Sequence, residues 1–376
     1  MRRRVTHSRA LAALDRITDA VLNYRPDKTA KPAKPKKAAL QDSVSSFSLF
    51  KGDALDAYDQ WAAPACIIAD GPYGLGKYPG EPLSPDKLAE WYEPHAAAWA
   101  RRAMPSTTLW FWNSEIGWAN AHPALDANGW QYEETIVWDK GIAHVAGNCN
   151  SKTIRGVPVV TELAVRYTRK VTLECADGRQ LPIKEWLRAE WLRSGRPMYE
   201  SNKACGVVNA ATRKYLTQCH MWYFPPGDAI VGMAEWCTKK GAKTDRPYFS
   251  IDGKNPPTAA LWDQMRAKWT HTHGLTNVWK EPPVHNGERV RVAGSSTRYL
   301  HANQKPLALM ERQIAASTSS GDVVWEPFGG LCSATVAALR LGRRAFAAEF
   351  NSEFYEAALV RIKGESSAQP RTRKAG

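Results

Sequence analysis

Three stretches of this chain carry residue types that can do chemistry. The first is Asp70-Gly71-Pro72-Tyr73-Gly74, directly after the apolar run Cys66–Ala69. Parallel α/β sheets place ligand chemistry at the carboxyl ends of their strands, so an acid there can accept hydrogen bonds, and Tyr73 beside it offers an aromatic face. Asp, Gly and Pro also build ordinary turns, so the pentapeptide by itself fits both readings. The second stretch is Asp322-Val323-Val324-Trp325-Glu326-Pro327-Phe328-Gly329-Gly330, a strand pattern and a glycine turn ahead of a helix pattern from Ser333. Glycines let the backbone approach a ligand closely, and the start of the following helix offers unpaired N–H groups to a carboxylate. The third is Glu349, at the end of the next strand pattern. An acid about 20 residues past such a turn commonly bonds the ribose hydroxyls of a nucleoside cofactor. A surface carboxylate is the plain alternative, but the second and third stretches together predict a βαβ cofactor unit.

The elements that would position these residues are legible as periodicity. Short apolar runs at Cys66–Ala69, Thr107–Trp112, Thr135–Trp138, Val323–Trp325 and Ala345–Ala348 read as buried strands. Helical patterns at Pro85–Arg102, Leu307–Ser317, Ser333–Leu341 and Ser352–Ile362 lie between them. This alternation predicts an α/β fold with a mostly parallel sheet. Residues 170–300 break it, being rich in Trp, Lys, Arg and Pro, and read as an inserted or appended recognition region. Residues 1–24 hold an Arg cluster and a short helical pattern, and 25–38 read as a flexible Pro/Lys/Ala linker. The globular part is expected to begin near Phe47. The division that results is a basic tail and linker over 1–40, one half of the main domain over 41–169, the recognition region over 170–300, a second half over 301–364, and a disordered tail over 365–376.

Net charge is +14 over 376 residues, and its distribution says more than its total. Residues 1–40 hold eleven Lys and Arg against three Asp and Glu, and 151–300 hold twenty-four against thirteen. Residues 41–150 reverse the balance, six against fourteen. That suits a core with a basic module for a polyanion, although basic tails are also commonly just solvated. No apolar run approaches the roughly 18 residues of a membrane helix, and no apolar segment follows the basic N-terminus to make a secretory signal. Seven cysteines without a C-x-x-C pair suggest reduced thiols in a cytoplasmic protein. His271 and His273 have no further ligands at zinc spacing, so no metal is expected.

In order along the chain, these stretches resemble the amino-methyltransferases of DNA, in the β class, where the catalytic motif precedes the cofactor motif. Asp70–Tyr73 resembles that family's Asp-Pro-Pro-Tyr, and Gly52-Asp53-Ala54-Leu55 resembles the Gly-Asp-x-Leu before it. Trp138-Asp139-Lys140 and Thr161-Glu162-Leu163 resemble its central strands. Asn277-Val278-Trp279 and the run from His301 through Asn303, Gln304, Lys305 and Pro306 to Leu307 resemble the approach to the cofactor half. Glu326–Gly330 resembles Asp-Pro-Phe-x-Gly, and Glu349 the ribose-binding acid. The resemblance covers most of residues 50–362, but not the tails or most of 170–275.

The resemblance implies a Rossmann-like methyltransferase with circularly permuted motif order and a basic target-recognition insert. It implies S-adenosylmethionine as cofactor, held by Asp53, Asp70, Gln304, Lys305, Glu326, Pro327, Phe328, Gly329, Gly330 and Glu349. Asp53 would meet the cofactor's adenine amino group, or else serve as a helix or turn cap. Gln304 and Lys305 would line its methionine end, with Lys305 alternatively a surface charge. The implied catalytic residues are Asp70, Gly71, Pro72 and Tyr73. The Asp70 carboxylate and Gly71 carbonyl would accept the two N–H bonds of a base's exocyclic amine, and Tyr73 would stack on a base flipped out of double-stranded DNA. Two positions depart from the family: Gly71 stands where Pro is usual, and the turn runs Gly330-Leu331-Cys332-Ser333 without its usual later glycine.

An Asp at the head of the catalytic motif resembles adenine N6 enzymes, and cytosine N4 transfer is the alternative. The two departures also admit a catalytically inactive DNA-binding protein of this fold. Transfer to RNA or to a protein glutamine is a further reading, but the glutamine enzymes place the cofactor motif first. A bacterial or phage-encoded cytoplasmic enzyme follows, with the oligomeric state left open and a dimer one option.

Overall fold

The computed structural model describes residues 46–78, 80–145, 156–292, 294–295 and 297–367. The expected N-terminal helix and linker and the expected C-terminal tail beyond 367 lie outside the described residues. The chain divides into two compact units, one built from Ser46–Thr172 with Ala259 onward, the other from Leu173–Thr258.

In chain order the first part of the larger unit runs β1 (Phe47–Lys51), β2 (Cys66–Ala69), α1 (Leu88–Arg102), β3 (Thr108–Asn113), α2 (Glu115–Ala127), β4 (Trp130–Asp139) and β5 (Thr161–Arg169). Next come β6 (Thr172–Glu174) and β7 (Gln180–Pro182), a two-stranded pair, and the helices α3 (Ile183–Arg193), α4 (Glu200–Ala204), α5 (Ala210–Lys214) and α6 (Gly227–Lys240). The larger unit resumes with α7 (Ala259–Asp263), β8 (Val278–Lys280), α8 (Leu307–Ser317), β9 (Val323–Glu326), α9 (Ser333–Arg340), β10 (Arg344–Glu349) and α10 (Ser352–Ser367).

The eight strands of the larger unit form one sheet in the order β1-β10-β9-β2-β3-β5-β4-β8. Only β5 runs against its neighbours; the other pairings are parallel. The sheet is buried on both faces, and the strand period of two sorts the residues between them. Ile67, Ala69, Leu109, Phe111 and Trp325 pack with Leu88, Tyr92 and Trp99 of α1 and Leu125 of α2. Cys66, Ile68, Trp110, Trp112 and Val324 pack with Leu309, Met310 and Ile314 of α8, Val336 of α9 and Ile362 of α10. Trp110 and Trp112, two of the four buried indoles on that side, need acceptors for their N–H groups, and α8 supplies them. Trp110 donates to Ser317 Oγ at 2.9 Å and Trp112 to Gln313 Oε1 at 3.1 Å. These bonds fix α8, and with it the segment just before its first residue, against the centre of the sheet.

Several elements carry no local pattern that marks them in the sequence, among them α2, β1 and β8. β1, which pairs with β10 at the sheet edge, begins at Phe47. β8 pairs with β4 and so joins the main sheet, although it lies inside the span 170–300. The separate unit is therefore narrower than that span, ending at Thr258. A three-residue strand such as β8 is too short to print a period on its own sequence. Among the described residues no helix is long and apolar enough to cross a membrane.

Candidate active site

Strand order builds the site. β2 lies beside β9 and β9 beside β10, all parallel, so the loops leaving all three emerge at one rim of the sheet. The loop after β2 carries Asp70–Gly74, the loop after β9 carries Pro327–Gly330, and β10 ends on Glu349. A cavity of about 300 Å³ opens there, lined by Asp53, Asp70, Tyr73, Lys305, Phe328 and Glu349 among others. The motifs some 250 positions apart thus meet at one cavity, as the fold class requires at the carboxyl ends of its strands.

Asp70 sits in a network of charges. Lys305, 4% exposed in its side chain, lies 2.8 Å from Asp70 Oδ1 and 3.1 Å from Glu162 Oε2. The Tyr73 hydroxyl donates to Asp70 Oδ1 at 3.1 Å and to Glu162 Oε2 at 3.2 Å. Lys140 completes the cluster with an ion pair to Glu162 Oε1. Burial pushes the Asp70 carboxyl above its ordinary value, and the Lys305 ammonium holds the rise down. Burial would also raise Glu162, but Lys305 and Lys140 outweigh it and bring its pKa to about 2. Burial opposes the Lys305 charge, but Asp70 and Glu162 outweigh that and raise it, so the ammonium is fixed. The bonds from Tyr73 and Lys305 to Asp70 both fall on Oδ1, which leaves Oδ2 as an acceptor without a partner among the described residues.

The loop backbone is equally constrained. The Pro72 carbonyl accepts from the Tyr92 hydroxyl at 3.0 Å and from Asn113 Nδ2 at 2.9 Å. No donor among the described residues takes the Gly71 carbonyl. A Cβ at position 71 would lie 2.5 Å from the Tyr92 oxygen and 2.6 Å from the Phe328 ring. This explains the glycine where the family has proline: the ring of the cofactor-half loop occupies the space a side chain would need. At the other departure, Gly330 has φ +52° and Cys332 has φ +54°. Cys332 takes a left-handed backbone without a glycine, at a cost of about 1–2 kcal/mol, and its N–H bond of 2.6 Å to Gly329 O closes the turn.

The remaining expected residues divide by what their polar atoms do. Glu349 accepts from Gly330 N and Asn351 N at 2.6 Å each, so its carboxylate joins the glycine turn to the end of β10. Asp53 lines the cavity and also caps the next turn, accepting from Leu55 N at 2.9 Å. Glu326 is buried, and its carboxylate caps α9 through Ala334 N, Thr335 N and the Thr335 hydroxyl. Gln304 is committed at both ends, accepting from Val290 N at 3.0 Å and donating to Glu288 O at 2.9 Å. Lys305 is not the surface charge that its residue type allows. Glu162 and Lys140 carry no chemical signal in the sequence beyond their resemblance to the central strands, because the strand Thr161–Arg169 holds other charged residues as well. His301, the first residue of the run leading to Leu307, is stacked on Tyr78 at 5.6 Å and edge-on to Phe354 at 4.8 Å, an aromatic contact whose two partners no motif marked.

The N6_N4_Mtase family model, described as DNA methylase, matches residues 65–360, which includes Asp70–Gly74, Glu162, Lys305, Pro327–Gly330 and Glu349 but not Asp53. The chain belongs to that DNA methylase family. Among curated relatives, this family member is 32% identical over 148 residues to the DNA adenine methyltransferase YhdJ of Escherichia coli (strain K12), covering 36% of the chain and 43% of that protein. It is 41% identical over 114 residues to the type II methyltransferase M2.DpnII of Streptococcus pneumoniae, covering 28% and 42%. The chain thus spans less than half the length of these relatives. Among solved structures, the M1.HpyAVI–SAM complex aligns with a TM-score of 0.44 at 17% identity, over 84% of this chain and 98% of that one. The cytosine-N4-specific PvuII DNA methyltransferase aligns with a TM-score of 0.47 at 12% identity, over 88% and 89%.

S-adenosylmethionine is the methyl donor of the family. The residues present fit it chemically. Its ribose diol and adenine amine call for acceptors, a role open to Glu349 and Asp53 on the cavity wall, and its adenine ring calls for an apolar face, which Phe328 could offer.

Proposed function

We propose that this DNA methylase moves a methyl group from S-adenosylmethionine to adenine N6 of a base flipped out of double-stranded DNA. The observation that carries the reading is the shared cavity: the Asp70 carboxylate opens into the same space as Phe328 and Glu349. When bound, S-adenosylmethionine supplies an electrophilic methyl on a sulfonium.

An exocyclic amine is a poor nucleophile because its lone pair is delocalised into the ring. Asp70 Oδ2 and the Gly71 carbonyl, neither of them occupied by another donor among the described residues, accept the two N–H bonds and turn the nitrogen toward tetrahedral geometry. Their bonds strengthen as positive charge develops on nitrogen, so they favour the transition state over the ground state. Lys305 and Tyr73, both on Oδ1, hold the carboxylate in place, and the two hydrogen bonds on Pro72 O stop the loop from giving way. Positioning of this kind supplies much of the acceleration. Tyr73 also offers its ring for stacking, worth about 1–3 kcal/mol per base.

Adenine is favoured over cytosine by the acid at the head of the catalytic tetrapeptide and by the similarity to an adenine methyltransferase. DNA incubated with the protein and tritiated S-adenosylmethionine, then digested to nucleosides and separated by mass, tests the whole reading. Label in N6-methyl-2′-deoxyadenosine supports it; label in N4-methyl-2′-deoxycytidine moves the target base, and none in DNA ends it. The relatives are bacterial, and the reading puts the reaction in a bacterial or phage-infected cytoplasm.

A further inference from the structure

The smaller unit holds a feature that methyl transfer does not use. Two residues past the end of α4, Gly206 turns the chain with a left-handed φ of 64°, and Gly206 N and Val207 N bond back to Lys203 O and Asn202 O at 3.2 and 2.9 Å. After this short turn α5 begins. The two helices are locked together: Ser201 Oγ meets Thr212 Oγ1 at 2.7 Å, and Asn202 Oδ1 accepts from Thr212 N at 3.2 Å. Ser201, Ala211 and Leu216 are buried beneath them. α3 braces the far end, Arg188 donating to Leu216 O at 3.0 Å and Lys184 to Cys219 O at 2.9 Å. The pair is a compact helix–turn–helix whose outer face cannot adjust much, because each helix is tied to the other by side-chain bonds.

That outer face is unusual in its charge. From Ser201 to Gly227 the chain carries Lys203, Arg213 and Lys214 and no Asp or Glu. Most other arginines of the unit are ion-paired: Arg179 with Asp177, Arg193 with Glu190, Arg196 with Glu200, Arg246 with Glu174. Arg213 is exposed and makes no hydrogen bond or ion pair among the described residues. Lys214 is exposed as well, its ammonium 6.0 Å from the Tyr223 ring. At the turn, Val208 is 94% exposed and Asn209 beside it is exposed. Exposed cations, with the one acid of the motif, Glu200, buried and neutralised by Arg196, and an exposed valine and amide at the turn match what a DNA major groove presents: phosphates, thymine methyls and adenine edges.

We infer that residues 198–216 form a helix–turn–helix that docks in the major groove of duplex DNA. Arg213 and Lys214 take phosphate or guanine, and Val208 and Asn209 meet base edges. The inference rests on the reading that this DNA methylase acts on duplex DNA, and it assigns part of sequence recognition to a named surface.

The full chain is titrated against a short fluorescein-labelled duplex of mixed sequence over a range of salt. Wild type is compared with Arg213→Ala/Lys214→Ala and with the ion-paired control Arg179→Ala. The double variant is expected to lose affinity roughly tenfold or more, and to lower the salt slope by about 0.9 per phosphate contact removed. The control keeps both, and S-adenosylmethionine affinity is unchanged in each. Arg213→Gln/Lys214→Gln serves the same purpose if the alanine pair fails to fold. Asn209→Ala is expected to relax one position of the methylated sequence without changing the salt slope. A double variant that matches wild type in affinity and slope overturns the inference while leaving the transferase reading intact. A wild-type protein that neither binds duplex nor labels DNA removes the transferase reading and this inference with it.

Discussion

Restoring the family's residue at position 71 is expected to damage this protein. A Cβ there would lie 2.5 Å from the Tyr92 oxygen and 2.6 and 2.7 Å from two Phe328 ring carbons, short of ordinary contact at 3.4 Å by 0.7–0.9 Å. Neither partner can retreat easily. Tyr92 is fully buried and its hydroxyl holds the Pro72 carbonyl. Phe328 is wedged among Trp91, His95 and Trp99, with ring centroids 5.5, 5.0 and 6.1 Å away. Overpacking of this kind costs about 1–3 kcal/mol. At about 2–4 °C per kcal/mol for a unit of this size, Gly71→Ala and Gly71→Pro should each melt roughly 2–12 °C lower. Displacing Phe328 should also raise the KM for S-adenosylmethionine. The assay is thermal unfolding of Gly71→Ala, Phe328→Leu and the double variant. The double variant should recover part of the loss, with a coupling energy of about 0.5–3 kcal/mol. Gly71→Ala melting with the parent, or a coupling of zero, would show that the ring does not dictate the glycine.

Asp70→Asn should abolish transfer, at least about a hundredfold, while duplex and S-adenosylmethionine binding persist, as read by single-turnover kinetics; normal turnover would remove Asp70 from its role. Glu349→Ala should raise the S-adenosylmethionine Kd roughly tenfold or more, since it removes an acceptor from the cavity wall; calorimetric titration checks it. Burial raises Glu326 to about 7, with the Thr335 hydroxyl and the N–H groups of Ala334 and Thr335 limiting the rise. Its folded value exceeds the roughly 4.3 of an unfolded Glu, so the folded state binds more protons between those values. Stability should therefore fall as pH rises from about 4.5 to 7 and level off above. Glu326→Gln should flatten that slope in denaturant titrations, and an unchanged slope would mean the carboxylate is already ionised there.

The sequence by itself determined what is local. Strands β2, β9 and β10 and helices α8 and α9 were legible because each is long enough to show its own period, and the three chemical motifs sit at their ends. Chain order placed the catalytic tetrapeptide before the cofactor turn, and that order survives as neighbouring strands β2 and β9. What no local pattern holds is contact across long separations. Lys305 reaches Asp70 over 235 residues, and Glu162 joins them because β5 enters the sheet antiparallel to its neighbours. Whether Lys305 was a surface charge or a buried counter-ion depended on the indoles that pin α8, and α8 follows it by only two residues. Gly71 read as a weakened motif until the position of Phe328 gave it a steric cause. Periodicity fixes which face of an element is apolar; only packing decides which distant charges must share one dry space.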